Sequence, residues 1–338
     1  MANSVNSGSV NYGLWYDFRN PQQWRMPFES FYEQRLNQIA DAEGLGFNSC
    51  WLTEHHFCDD GYTPSPLVIA SAIGARTQRM HLGTNLMLLP LHDPVRVAED
   101  AATLSLLTGG RFDLGVGIGY RQMEFDQFGR KLSHRPSLVE EGIEILRRGW
   151  RGEAINFSGK RFEVGDLKIT PSPETVPKIL LGGMVEPAIH RAARVADGFL
   201  STGGIGIDIY NEALEKEGKS IEDGNIMLGC WAIIAEDPEA EAARIGEHVL
   251  YQINEYIKWG AFGPPDQTPL FEDVGSAIEN GLYELWDAEQ AVSELNTLTK
   301  TYPNIRDIHF WAQFPGESVE SGNARLRYIA EKVLPRLD

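Results

Sequence analysis

LGTNLMLLPLHDPVRVAEDAATLSLLTGGRFDLGVGIG, residues 82–119, decides how this chain folds. The apolar run 80–89 (MHLGTNLMLL) reads as a strand and is stopped by Pro90. Asp93-Pro94 supplies a helix N-cap with proline at the first helical position, and Gly109-Gly110 supplies the stop. FDLGVGIG (112–119) is the next strand. Strand, helix and strand thus alternate across this stretch.

The alternation continues in both directions. Residues 10–18, 47–56, 178–183, 199–204, 225–235 and 306–314 read as further strands. Helices are expected at 28–44, from Pro66 to about Arg76, at 136–150, 187–196 and 208–217, from Asp237-Pro238 to Trp259, and at 288–299 and 319–334. Eight strands alternating with helices predict an α/β fold, a (β/α)8 TIM barrel with insertions. A doubly wound open sheet needs about six strands and usually an early glycine fingerprint, and none follows the first strand. Residues 10–338 are therefore read as a single barrel domain, preceded by a disordered lead at 1–9. Two segments break the rhythm. Residues 157–171 have two short β runs around glycine and look like a β excursion. Residues 260–287 mix Gly and Pro with acids and large aromatics, and are expected to form a lid over the barrel mouth. The alternative for this segment is an oligomer contact.

The chain has 338 residues, with 30 Lys+Arg against 48 Asp+Glu, a formal net charge of −18. Nucleic acid is not an expected partner, because binding needs clustered cations that displace counterions from phosphate. The same balance disfavours an anionic membrane, and no apolar run approaches the roughly 18–20 residues that span a bilayer. The start, MANSVNSGSVNYG, lacks the cationic and apolar regions of a signal peptide, so the expected location is cytoplasmic. Cys50, Cys58 and Cys230 lack C-x-x-C spacing and suggest neither a disulfide framework nor a structural zinc site.

In a barrel of this kind, chemistry gathers at the carboxyl ends of the strands. The second strand closes with WLTEHHF (51–57). If Trp51 and Thr53 point inward, so does His55, and Glu54 and His56 face the other way. His55 is the candidate general base, the alternative being a histidine satisfied by a backbone carbonyl. No metal is expected, since three or four ligands are needed and no matching set stands out. Asn85 is an amide at mid-strand that either meets a heterocycle or bridges strands. Gly115, Gly117 and Gly119 alternate, which lets a flat ligand or another backbone come close. They do not continue to a dinucleotide fingerprint. Arg121 follows as a cation at the mouth. Gly182-Gly183-Met184 precedes a helix near Pro187, an arrangement suited to a phosphate.

Four segments together make the chain resemble the bacterial luciferase-like family of flavin-dependent monooxygenases: 43–57 (EGLGFNSCWLTEHHF), 82–119, 124–129 (EFDQFG) and 177–198 (PKILLGGMVEPAIHRAARVADG). The resemblance implies a (β/α)8 barrel that binds FMN or, in some branches, a deazaflavin. It implies that His55 assists proton transfer at the flavin. Thr84, Asn85 and Leu86 would lie under the flavin ring, where the family often has a non-proline cis peptide. Gly182, Gly183 and Met184 match the phosphate-binding turn, and 260–287 falls where luciferase has its mobile loop. Gly117 and Ile118 stand where luciferase has a reactive cysteine and a phosphate-contacting arginine, which argues against light emission and leaves Arg121 as the candidate phosphate cation. With Gly117 and Gly119 on the cofactor floor, the expected enzyme is a two-component monooxygenase. A separate reductase supplies reduced FMN, O2 is the oxidant and a small organic molecule the substrate. The alternatives are a deazaflavin-dependent dehydrogenase transferring hydride without O2, and a non-catalytic flavin-binding barrel. The family also implies a homodimer or homotetramer.

Overall fold

A computed structural model describes residues 10–337, so the expected lead at 1–9 lies outside the described residues. The strands, in chain order, are β1 (Asn11–Tyr16), β2 (Ser49–Leu52), β3 (His81–Thr84), β4 (Phe112–Val116), β5 (Ala154–Ser158), β6 (Glu163–Lys168), β7 (Ile179–Gly182), β8 (Gly198–Thr202), β9 (Ile226–Cys230), β10 (Ala232–Ile234), β11 (Glu284–Trp286) and β12 (Ile305–Trp311). The helices are α1 (Phe28–Leu45), α2 (Pro66–Gly74), α3 (Pro94–Thr108), α4 (Gln122–Gln127), α5 (Arg135–Trp150), α6 (Glu186–Val195), α7 (Ile207–Lys216), α8 (Pro238–Trp259), α9 (Val274–Glu279), α10 (Ala288–Thr301) and α11 (Val319–Lys332). Strands β1, β2, β3, β4, β7, β8, β9 and β12 close into one parallel barrel, with β12 completing the ring against β1. Among the described residues no helix is long and apolar enough to cross a membrane.

Local chemistry sets the helix ends. Asp93 accepts from the N–H groups of Val95 and Arg96 at 2.9 and 3.1 Å, and α3 stops at Gly109 with φ 64°. Asp237 accepts from the Ala240 N–H at 3.0 Å and opens α8, which ends at Gly260 with φ 87°. The 157–171 excursion is an antiparallel hairpin of β5 and β6.

The apolar runs overran the strands. The barrel ladder of β3 stops at Thr84, whose hydroxyl donates to the Gly115 carbonyl at 2.6 Å and accepts from the Gly115 N–H at 3.0 Å. A side chain thus does the pairing there that backbone would do in a longer strand. The run 225–235 is two strands, not one. β9 stays in the barrel, whereas β10 leaves it to pair in parallel with β11 from the 260–287 segment. An apolar run records burial and not which partner buries it.

The lumen is filled rather than open. Trp15 stacks on Trp311 with ring centroids 4.3 Å apart, and Trp51 lies 5.2 Å from the His309 ring. Leu180, Leu200 and Met227 pack with them. Gly115 belongs to this wall for steric reasons. A Cβ there would lie 1.8 Å from the Thr84 carbonyl oxygen, a backbone atom that cannot move aside. Gly115→Ala is expected to destabilise the barrel by about 3 kcal/mol, the upper range for overpacking a core. Urea unfolding of the variant beside the parent chain measures it.

Candidate active site

The backbone leaves β2 after Leu52, and the next residues run along the barrel's carboxyl mouth, with the His55 N–H bonded to the Thr63 carbonyl at 3.2 Å. His55 is buried, and its ring sits between two partners. Its Nδ1 is 2.9 Å from Oε1 of Glu124, and its Nε2 is 3.1 Å from the Tyr120 hydroxyl. A carboxylate beside Nδ1 assigns the proton to that nitrogen, so Nε2 is the lone-pair acceptor and the Tyr120 O–H donates to it. The same Glu124 oxygen accepts from the His56 N–H at 2.8 Å and from Arg121 Nη1 at 2.9 Å. Burial alone would raise the Glu124 carboxyl, but the His55 hydrogen bond, the His56 N–H and Arg121 hold it below the usual carboxylate range. Burial pushes the His55 imidazole down and outweighs the opposing pull of Glu124. The site therefore holds a neutral imidazole braced by an ionised carboxylate.

Aromatic rings enclose this pair. Tyr62, Tyr120 and Trp259 meet the His55 ring with centroids 4.9, 5.3 and 5.1 Å away. Tyr62 and Tyr256 share a 2.8 Å hydroxyl contact, and Tyr256 leads through Trp231 to Trp311 and the lumen. Trp259, the last residue of α8, lies between two guanidinium groups, 4.8 Å from Arg19 and 4.5 Å from Arg121. The 260–287 segment it introduces packs onto the same cluster. Tyr283 is buried there and donates to Gln252 Oε1 at 2.7 Å, with Val274, Ile278 and Leu282 alongside.

The structure spreads the expected site residues over two neighbouring regions. Asn85 bridges strands: its Nδ2 donates to His309 Nε2 at 2.8 Å, and His309 Nδ1 meets Asp307 at 3.0 Å. The Thr84 hydroxyl is spent on Gly115. The peptide between Asn85 and Leu86 is cis, where the resemblance indicated. The glycine face is not bare. A Cβ on Gly117 or on Gly182 would come within 2.5 Å of a Leu86 methyl, so Leu86 lies over both. Gly119 (φ 72°) turns the chain away and gives its carbonyl to Arg135 at 3.0 Å. Arg121 Nη1 contacts Glu124, the His56 carbonyl and Cys58 Sγ, none of which belongs to the turn at Gly182, Gly183 and Met184. It therefore serves the His55 loop.

The sequence assigns Tyr120, Glu124, Tyr62 and Arg19 no site role, and reads Trp259 only as the end of a helix beside the 260–287 segment. Glu124 lies in α4 and Tyr120 just before it, so no helical spacing ties the two together. Nothing local shows that His55 meets them.

Beyond β7 and β8 the surface changes character. Met184, Val185 and Ile205 are exposed apolar residues after two adjacent barrel strands. Helices α6 and α7 both begin without a side-chain cap, so their first N–H groups are unspent by side chains. Gly203 and Gly204, at φ 59° and 81°, have open space where a Cβ would stand. An apolar shelf with Leu86 on it, beside two uncapped helix starts, fits a flat ring with a phosphate tail.

A family model described as luciferase-like monooxygenase matches residues 18–298. The F420-dependent glucose-6-phosphate dehydrogenase of Kribbella flavida is 31% identical over 315 residues, covering 88% of this chain and 91% of that protein. The uncharacterized protein y4vJ of Sinorhizobium fredii is 29% identical over 204 residues, and the match spans 57% of this chain and 58% of that one. Among solved structures, the oxygenating constituent of 3,6-diketocamphane monooxygenase from Pseudomonas putida, in complex with FMN, superposes with a TM-score of 0.78 at 17% identity, covering 98% of this chain and 99% of that one. That likeness is one of fold.

Proposed function

This chain belongs to the luciferase-like monooxygenase family of flavin- or F420-dependent oxidoreductases, and from that premise we propose that it takes reduced FMN from a separate reductase and oxygenates a small organic substrate with O2. The observation that carries the reading is the buried aromatic cluster packed around a neutral His55 with its Nε2 directed at the Tyr120 hydroxyl. Reduced flavin, when bound, supplies the electrons for attack on dioxygen. The chain's own residues do the rest. Leu86, Met184, Val185 and the α6 and α7 starts would hold the ring and the phosphate. Trp259, Tyr62 and Tyr256 exclude water, which matters where a reactive species must outlive hydrolysis. His55 Nε2 takes or returns a proton through Tyr120, and Glu124 keeps the Nδ1 proton in place. Two buried indole N–H groups, on Trp231 and Trp311, and the terminal nitrogens of Arg19 lack a hydrogen-bond partner.

A second reading, F420-dependent hydride transfer without O2, is favoured by the 31% identical relative. A neutral base is equally suited to taking a hydroxyl proton as hydride leaves. Anaerobic titration of the apo chain with reduced FMN and with reduced F420, followed by O2-uptake measurements over a substrate panel, separates them. Tight FMN binding with substrate-stimulated O2 uptake is expected. Binding of F420 alone, with no O2 consumed, overturns the oxygenase reading in favour of the dehydrogenase.

The depressed His55 pKa has a sign that can be checked. A base must be neutral, and burial holds His55 neutral below the ordinary imidazole value of about 6.5. The acid limb of kcat/KM is therefore expected below that value, with activity retained through it. A limb above 6.5 would remove His55 as the base.

A further inference from the structure

His55 has two neighbours that face the other way. Glu54 and His56 point away from the His55 cluster and converge on His92, which lies between β3 and α3, one residue before the Asp93 cap. Glu54 Oε1 is 2.8 Å from His92 Nε2 and 3.2 Å from His56 Nε2, and the three donor atoms all lie within 4.8 Å of one another. The other Glu54 oxygen is fixed by the Leu88 N–H. The His56 side chain is only 9% exposed, yet its Nε2 makes no hydrogen bond despite that proximity. A buried imidazole nitrogen that stands 3.2 Å from a carboxylate without a hydrogen bond to it, and is aimed into a carboxylate–histidine pair, leaves a position an ion can take. The His92 side chain is 26% exposed, so the cluster opens to solvent on that side.

We propose that Glu54, His56 and His92 form a binding site for a borderline divalent metal ion, with zinc the occupant the donors suit best. Zinc takes nitrogen and oxygen donors at about 2.0–2.2 Å, which in a tetrahedron sets donor atoms about 3.3 Å apart. The two shorter edges of this triangle are already 2.8 and 3.2 Å, so small side-chain movements complete it. Three protein donors leave a fourth position for water on the exposed His92 side. Two imidazoles and one carboxylate select a first-row ion of this type over magnesium or calcium, which prefer oxygen donors. Each histidine binds through the Nε2 lone pair with its remaining proton on Nδ1, and any further imidazole proton passes to bulk water. The ion would tie the loop after β2 to the loop before α3 on the side away from the His55 ring. It would brace the backbone on both sides of His55 without entering the chemistry.

The test uses the full, untagged chain stripped with a chelator, and no redox cofactor is needed. Titration with Co2+ is expected to give the intense visible bands of a four- or five-coordinate ion, saturating at one equivalent and bleached by Zn2+ but not by Mg2+. His92→Gln, at the exposed corner, is expected to weaken Zn2+ binding by about tenfold or more, the least that removing an outer-shell partner does to a metal site. Circular dichroism confirms that the variant is folded. The proposal is overturned if Co2+ shows only the weak bands of an octahedral ion. It is also overturned if Zn2+ binds the parent chain and the folded His92→Gln variant equally, which would place the metal on surface histidines and leave this cluster as an ion-paired brace.

Discussion

Replacing His55 with alanine is expected to lower turnover by about 10²-fold or more, the usual worth of a positioned general acid/base. Binding of FMN is expected to change little, because the shelf at Leu86 and Met184 is separate from the imidazole. The loss belongs in kcat and kcat/KM together, since proton transfer is needed in the transition state and not for binding. The reason for assigning so large an effect is geometric. Tyr120, the other group within reach of a substrate proton, has its pKa pushed well above the ordinary tyrosine value by burial. It can relay a proton to Nε2 but cannot replace it as a base near neutral pH. Steady-state turnover with the reductase and the substrate identified from the panel measures this, and an unchanged rate would remove His55 from the mechanism.

Glu124→Ala is expected to be the most destabilising change at the site, by about 3 kcal/mol, the lower end for removing one partner of a buried ion pair. Its carboxylate is inaccessible to solvent, and one oxygen serves the His55 ring, the His56 N–H and Arg121. The loss falls at the lower end because Arg121 keeps the His56 carbonyl and the Trp259 ring. Glu124→Gln keeps the acceptor oxygen and removes the charge, so it is expected to fold better than the alanine variant and to fail in a different way. The Glu124 charge raises the His55 pKa. Without it the acid limb of the pH–rate profile should move further down, because neutral His55 becomes still harder to protonate. Denaturant unfolding reads the first effect and the pH profile the second. A purely structural glutamate would leave the limb where it is.

Much of the fold can be read from local sequence. The Asp93-Pro94 start, the Gly109 stop and the Asp237-Pro238 start each describe one chain segment and the water around it. The structure places the α3 and α8 boundaries accordingly. Strand ends were less legible, as Thr84 shows, because a ladder stops where its neighbour does. The candidate site was legible only in part. His55 stands out by its place at a strand end, but its carboxylate lies 69 residues away along the chain. Arg121, read as a phosphate cation, is drawn into the His55 loop by Glu124 three residues later. The sequence alone determined the alternation of strands and helices and the place of His55 at a strand end, because burial periodicity and end-capping act over a few residues. Tertiary structure alone decided which carboxylate braces that histidine, which tryptophan covers it and where Leu86 rests, because those contacts arise only when barrel closure brings distant loops to one rim.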